Sequence, residues 1–395
     1  MHDAGILFKG RVYSFFCYLK EVIYGLMRLK SKFSTAIYKK KGRKKMNKII
    51  EKNNKVVNNM YNQITNIIIN NKNKMIYQIN NTLIENNFMI GKIIIENEQN
   101  GNIRAEYGKE ILLKLSKKLT KRFGSGYSRS GLQNMRLFYE KYKKCQTVSG
   151  KSILLSNNLS WSHYCYLIYI DDDNERSFYE KECINEKWSV RELKRQIDSC
   201  LYQRLLLSSG KKNKQKVLEL AREGQTISKP EDILKEPYVF EFLGIKENKP
   251  PFESDLEKCL IAHLTLFLME LGKGFMYVGN QVRITLDNNH HYYVDLVFYN
   301  KILKSYVLID LKTGDMKPDY VGQMNMYVNY YNKEIKDKFD NETIGIILCT
   351  GNDGVTMEYA LGGLSNNIFA STYTYYIPNK EELINEVERI INKEF

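Results

Sequence analysis

Asp295, Asp310 and Lys312 are the residues whose types and spacing best suit chemistry. They lie in two apolar runs, Tyr292-Tyr-Val-Asp-Leu-Val-Phe-Tyr299 and Ser305-Tyr-Val-Leu-Ile-Asp-Leu-Lys312. Both runs read as β-strands. In the second, Asp310 and Lys312 are two apart and project from one face. A hairpin folded about Ile302/Leu303 sets Asp295 opposite Asp310, with Cβ atoms about 4.5–5.5 Å apart. Two carboxylates in apolar strands are costly to ionise unless a cation lies between them. A divalent metal resolves the conflict. Mg²⁺ prefers carboxylate oxygen and keeps waters and phosphate oxygens, and it can polarise a phosphodiester and acidify its water. Lys312 could then orient that water or stabilise the developing charge. The tripeptide alone means little, since Glu192-Leu-Lys194, Glu247-Asn-Lys249, Asp315-Met-Lys317 and Glu334-Ile-Lys336 also fit it. The upstream Asp and the apolar strands set Asp310–Lys312 apart from a surface ion pair at a strand end.

In this context the sequence resembles the YhcG-type PDDEXK nucleases of bacteria, within the PD-(D/E)xK superfamily. The resemblance covers about residues 60–378. In the C-terminal half it rests on Pro237-Tyr-Val-Phe-Glu-Phe-Leu-Gly244, Leu256-Glu257, Phe267-Leu-Met-Glu-Leu-Gly-Lys-Gly-Phe275, Val278-Gly-Asn-Gln281, the two strands, Gly322-Gln-Met324 and Ile344-Gly-Ile-Ile-Leu-Cys349. In the N-terminal half it rests on Arg104-Ala-Glu-Tyr-Gly108, Leu159-Ser-Trp-Ser-His-Tyr164 and Trp188-Ser-Val-Arg-Glu-Leu193. It implies a restriction-endonuclease-like domain in which Asp295 binds metal, Asp310 is the D/E position and Lys312 the catalytic lysine. Glu257 matches the helical acidic residue that helps hold metal. Gln323 and Tyr327 fit a QxxxY spacing in which the Gln supports the site and the Tyr approaches nucleic acid. The family usually carries Glu where this chain has Asp310, one methylene shorter, and Val294 replaces the nominal Pro.

Other residues carry weaker signals. From periodicity alone Glu257 is the solvated face of a helix whose stripe is Leu256, Leu260, Leu264, Phe267 and Leu271; Glu270 is a second acidic candidate. His263 reads as a satisfied, partly buried His, and Trp161 and Trp188 as core anchors. Two basic helices, Lys109–Arg122 and Arg129–Lys144, are joined by a short Gly-containing turn as in helix-turn-helix modules. Lys117, Lys118, Lys121, Arg122, Arg129 and Arg136 there suit phosphate contact more than base readout.

These residues need two architectures to position them. Apolar residues recur at three-to-four spacing after Asn47, and Pro is absent from the first 229 residues, so the first half reads as helical. Capping boxes at Ser130-Gly-Leu-Gln133 and Ser189-Val-Arg-Glu192 open two of its helices. After a polar stretch the elements run α-β-β-β-α-β-β-α, with the first helix at Glu253–Leu271 and strands at Phe275–Val278 and Ser371–Ile377 among others. The reading is a basic leader (1–46), an all-helical N-terminal domain (47–205), a linker (206–235) and an α/β (α+β) C-terminal PD-(D/E)xK domain (236–395).

The chain has 395 residues, of which 60 are Lys or Arg and 45 Asp or Glu, a net +15. Residues 1–46 hold twelve basic and two acidic residues, so most of the excess is the leader's. Basicity of the whole chain therefore does not argue for nucleic acid. An apolar fraction of 43% excludes disorder throughout. Seven scattered cysteines without a CxxC pair point to reduced thiols in the cytoplasm and to no zinc site. The stretch Val12–Met27 falls short of the ~18 apolar residues of a membrane span and lacks a signal-peptide cleavage site. Translation from Met46 is the expected start, with a basic surface helix in the leader as the competing reading. The expectation for the whole chain is a cytoplasmic Mg²⁺-dependent nuclease, with Mn²⁺ as a substitute. It acts on DNA in defence, mobile-element or repair settings, and its helical domain serves as a surface for DNA, a second copy or a protein partner. The competing class is a non-catalytic DNA- or protein-binding module with a degenerate nuclease domain.

Overall fold

The computed structural model describes residues 43–99, 105–143, 159–208, 213–245, 251–286, 290–351 and 367–392. The leader before residue 43, with Val12–Met27, lies outside them. The chain divides into two units, one ending at Gln78 and the other beginning at Ile79.

Helix α1 (Arg43–Gln99) crosses that division. Before it, Val56, Met60, Ile64, Ile67 and Ile68 stay exposed along the helix. Beyond it, Ile84 and Phe88 enter a helical core. Helix α2 (Ala105–Phe123) packs through Leu112 with Ile94, Leu132 and Met135 in a smaller cluster, and the core itself is built by α3 (Arg129–Tyr142), α4 (Trp161–Leu167), α5 (Asp173–Glu186), α6 (Val190–Asp198), α7 (Leu201–Ser208) and α8 (Asn213–Glu223). The Ser189–Glu192 capping box forms: Glu192 N–H donates to Ser189 Oγ at 3.3 Å, and Ser189 N–H to Glu192 Oε2 at 2.5 Å. The other expected box does not. Helix α3 is capped instead by Ser128, which accepts from Gly131 N–H at 3.2 Å, because the chain reverses one turn earlier at Gly124 (φ 97°). Helix α8 occupies part of the stretch expected as linker, and its Leu220 joins the helical core.

A six-stranded mixed sheet follows, in spatial order β1-β6-β5-β4-β3-β2. The strands are β1 (Tyr238–Val239), β2 (Phe275–Thr285), β3 (His291–Asn300), β4 (Ser305–Lys312), β5 (Ile344–Cys349) and β6 (Ile368–Thr374). Strands β2, β3 and β4 pair antiparallel; β4, β5, β6 and β1 pair parallel. Parallel pairing needs crossovers and covered faces. Helices α9 (Glu253–Ala262) and α10 (Leu264–Leu271) pack on one face through Leu256, Leu260, Phe267 and Leu271. Helix α11 (Pro318–Tyr330) covers the other through Val321, Met324, Tyr327 and Val328. Gly345 of β5 permits that second contact, since a Cβ there would lie 2.6 Å from Met324 Cγ. The last helix, α12 (Lys380–Asn392), returns to the helical core, where Val387 is buried.

Four elements depart from expectation. The helix expected over Glu253–Leu271 is two, broken at His263, which is exposed and turns its Nδ1 to Cys259 O at 2.9 Å. Strand β2 runs seven residues beyond Val278, β6 starts three residues earlier than expected, and β1 is an added strand of two residues.

Candidate active site

The β3–β4 register pairs Leu296 with Ile309, which sets Asp295 against Asp310 at the end of the hairpin. Side-chain alternation places Leu308 and Val297 in the core under α11. Asp310 and Asp295 share the parity of these residues and so face the same side. Asp310 is 1% exposed. Lys312 Nζ lies 2.8 Å from its Oδ2 and pairs with it. Asp295 Oδ2 accepts from Leu311 N–H at 2.9 Å. Burial, and then the neighbouring Asp310 carboxyl, push Asp295 up to about 7. Burial pulls Lys312 down, but the carboxylates of Asp310 and Asp295 outweigh it and hold the ammonium above its ordinary value. Its Nζ also sits 5.3 Å from the ring centre of Tyr320.

Glu257 on α9 is buried. It accepts from Asn280 Nδ2 at 2.9 Å and from Gln281 Nε2 at 2.7 Å. The same Gln281 nitrogen donates to Asp295 Oδ1 at 3.1 Å. Glu257 thus joins the site through a neighbour in β2. Among the described residues no three His, Cys, Asp or Glu side chains converge as a ready cage. Mg²⁺ needs only one or two carboxylates, completed by waters and substrate phosphate. Two adjacent carboxylates, Asp310 buried and Asp295 half-buried, fit such an ion.

Gln323 is half-buried on α11 and donates from Nε2 to Tyr327 Oη at 2.5 Å; the Tyr327 hydroxyl donates to Tyr293 O at 3.0 Å. Tyr327 is 1% exposed and part of the core. The expected approach of Tyr327 to nucleic acid is therefore not what its surroundings provide; its hydroxyl orients Gln323 instead. Removing it in Tyr327→Phe keeps the ring's packing. We expect roughly tenfold slower turnover, about 1.4 kcal/mol, with little change in melting temperature, read from kcat and thermal unfolding.

Glu270, the second acidic candidate, lies elsewhere. It is fully buried and held by Arg204 Nη1 at 2.5 Å, Arg195 Nη2 at 3.0 Å and Val239 N–H at 3.0 Å. Its backbone oxygen accepts from Lys235 Nζ. This cluster joins α6 and α7 to the sheet. Trp161 and Trp188 pack against the helical core.

Lys117, Lys118, Lys121 and Arg122 on α2, and Arg129 opening α3, are exposed, and Arg122 lies over the exposed ring of Phe123 at 5.1 Å. Arg136 is half-buried and lies 3.6 Å from Glu140. Gln281 and Asn280 are the site residues that reading by type did not single out. Their one signal was their place in the Val278-Gly-Asn-Gln281 string.

Comparison with known proteins bears on this geometry. Residues 231–388 match the YhcG PDDEXK nuclease domain, and residues 63–204 match the DUF1016 N-terminal domain. YhcG of Escherichia coli (strain K12) is 36% identical over 325 residues, which are 76% of this chain and 85% of that protein. The crystal structure of a repair endonuclease from Pyrococcus abyssi aligns at 18% identity with a TM-score of 0.22, over 32% of this chain and 49% of that one. The matched domains and the extent of the likeness to YhcG assign the chain to the YhcG family of PDDEXK nucleases, with a DUF1016 N-terminal domain ahead of the nuclease domain.

Proposed function

We propose that this protein is a metal-dependent deoxyribonuclease that hydrolyses phosphodiester bonds, and that Asp295, Asp310 and Lys312 form its centre. One observation carries the reading. Buried Asp310 is set against Asp295, and its Oδ2 lies 2.8 Å from Lys312 Nζ. Asp295 and Asp310 would hold a divalent cation, Mg²⁺ or in its place Mn²⁺, with Glu257 as a further acidic group. Such an ion supplies charge neutralisation at the phosphoryl oxygens and acidity to an attacking water. Lys312 holds its proton, directs an N–H at the forming charge and is fixed by Asp310. Gln323, oriented by Tyr327, lies on the helix covering that face and fits a hydrogen-bonding support for the scissile phosphate. The direct test is metal-dependent DNA cleavage that Asp310→Ala and Lys312→Ala both remove.

The helical domain serves as the DNA grip in this reading. Lys117, Lys118, Lys121, Arg122 and Arg129 are exposed on one turn-linked helix pair, a footprint suited to phosphates. Converting Lys117, Lys118 and Lys121 to Glu should weaken duplex binding alike for all sequences. The slope of log K against log salt should fall by about one per lost contact. Fluorescence anisotropy at several salt concentrations reads both; an unchanged slope would remove this surface from the proposal. The exposed apolar residues of α1 supply a surface for a second copy or protein partner. Free cysteines at 165, 183, 200, 259 and 349 suit a reducing cytoplasm. No helix among the described residues is long and apolar enough to cross a membrane.

A further inference from the structure

Strand β2 enters the site irregularly. Its pairing with β3 shifts between Tyr277 and Gly279. Three residues later Gln281 adopts φ 47°, a left-handed conformation that glycine takes freely and a branched-off side chain resists. Asn280 pairs with Leu296 and Val282 with Val294, so Gln281 stands opposite Asp295.

The strained backbone delivers one group. The Gln281 amide nitrogen has two hydrogens, and it lies 2.7 Å from Glu257 Oε2 and 3.1 Å from Asp295 Oδ1. These carboxylates come from different elements, α9 and β3. Asn280, the preceding residue, holds the other Glu257 oxygen at 2.9 Å. Glutamine suits this position chemically. A neutral donor satisfies two carboxylates without opposing an arriving cation, whereas a lysine there would compete with it. A glycine would relax the backbone and lose the link.

We propose that Gln281 is a positioning residue for the metal centre: its amide ties Glu257 to Asp295 and fixes where the two carboxylates point. The proposal rests on the metal-dependent reading above and adds a role for a residue of β2. Supporting groups of this kind typically contribute about 10–100-fold to metal affinity.

Mn²⁺ binding to the full chain, followed by electron paramagnetic resonance, separates this from a merely structural bulge. Gln281→Gly should bind Mn²⁺ about 10–100-fold more weakly than wild type while melting in EDTA within a few degrees of it. Gln281→Asn tolerates the left-handed backbone but is one methylene short, and it provides the same reading if the glycine variant does not fold. Gln281→Glu should melt earlier in EDTA, because a third carboxylate crowds the pair, and gain more from Mn²⁺ than wild type gains. Wild-type affinity in a folded Gln281→Gly or Gln281→Asn would overturn the positioning role and leave the metal reading standing. A wild type that binds no Mn²⁺ would overturn both.

Discussion

Arg204→Ala is expected to destabilise the protein by about 3–5 kcal/mol, the usual consequence of stripping one partner from a buried ion pair. The Arg204 side chain is fully buried. Besides Glu270 it donates to Ser199 O at 2.7 Å, Pro237 O at 3.0 Å and Ser199 Oγ at 3.0 Å. Its loss leaves the Glu270 charge in the interior with Arg195 at 3.0 Å and the buried Lys235 ammonium as its cations, and frees the carbonyls of Ser199 and Pro237. The effect also has a pH signature. Burial alone would raise Glu270, but Arg204, Lys235 and Arg195 outweigh it and hold the carboxyl at about 2, against an ordinary 4.5. A folded value below the unfolded one stabilises the protein fully above about pH 4.5, and that contribution is lost as pH falls toward 2. The wild-type advantage over Arg204→Ala should therefore shrink through this window. Denaturant unfolding at pH 7, 4 and 3 measures it; a loss under about 1 kcal/mol at pH 7 would contradict the account.

Asp310→Asn should behave in the opposite way, costing activity and little stability. The substitution keeps shape and removes one of two facing carboxylates, so the repulsion that adds to the effect of burial on Asp295 disappears. Lys312 keeps Asp295 as a charged neighbour. Thermal unfolding should shift by no more than a few degrees. Turnover should fall on the order of 10³-fold or more, corresponding to several kcal/mol of lost charge stabilisation at the phosphoryl group. Because the side chain is nearly isosteric, misfolding does not account for such a loss. Single-turnover cleavage with matched melting curves tests it. Equal loss of stability and activity would assign Asp310 to the core instead.

The hairpin was legible in the sequence because apolar alternation and a short connection fix register together. Asp295 fell opposite Asp310 from the arithmetic of the turn alone. The Ser189–Glu192 box was legible because capping is local. Strand β2 was cut short in that reading at Val278 because the residues that follow, Gly279, Asn280 and Gln281, break the apolar run. Two of these are polar and donate to Glu257 and Asp295, so contacts that no periodicity signals hid the strand's length. Strand β1 is two residues long and gains its place only from pairing with β6. The partners of Glu270 lie 31 to 75 residues away in sequence, and no periodicity signals contacts of that range. The break at His263 carries no Gly or Pro to mark it.

The central claim is tested most directly by cleavage of duplex, single-stranded and branched DNA with Mg²⁺, Mn²⁺ or EDTA, comparing wild type with Asp310→Ala and Lys312→Ala. The account predicts cleavage by wild type with either metal, none in EDTA and none by either variant, while all three proteins bind DNA alike. Wild-type protein that binds DNA and cuts nothing, or cutting that survives both substitutions, would contradict it.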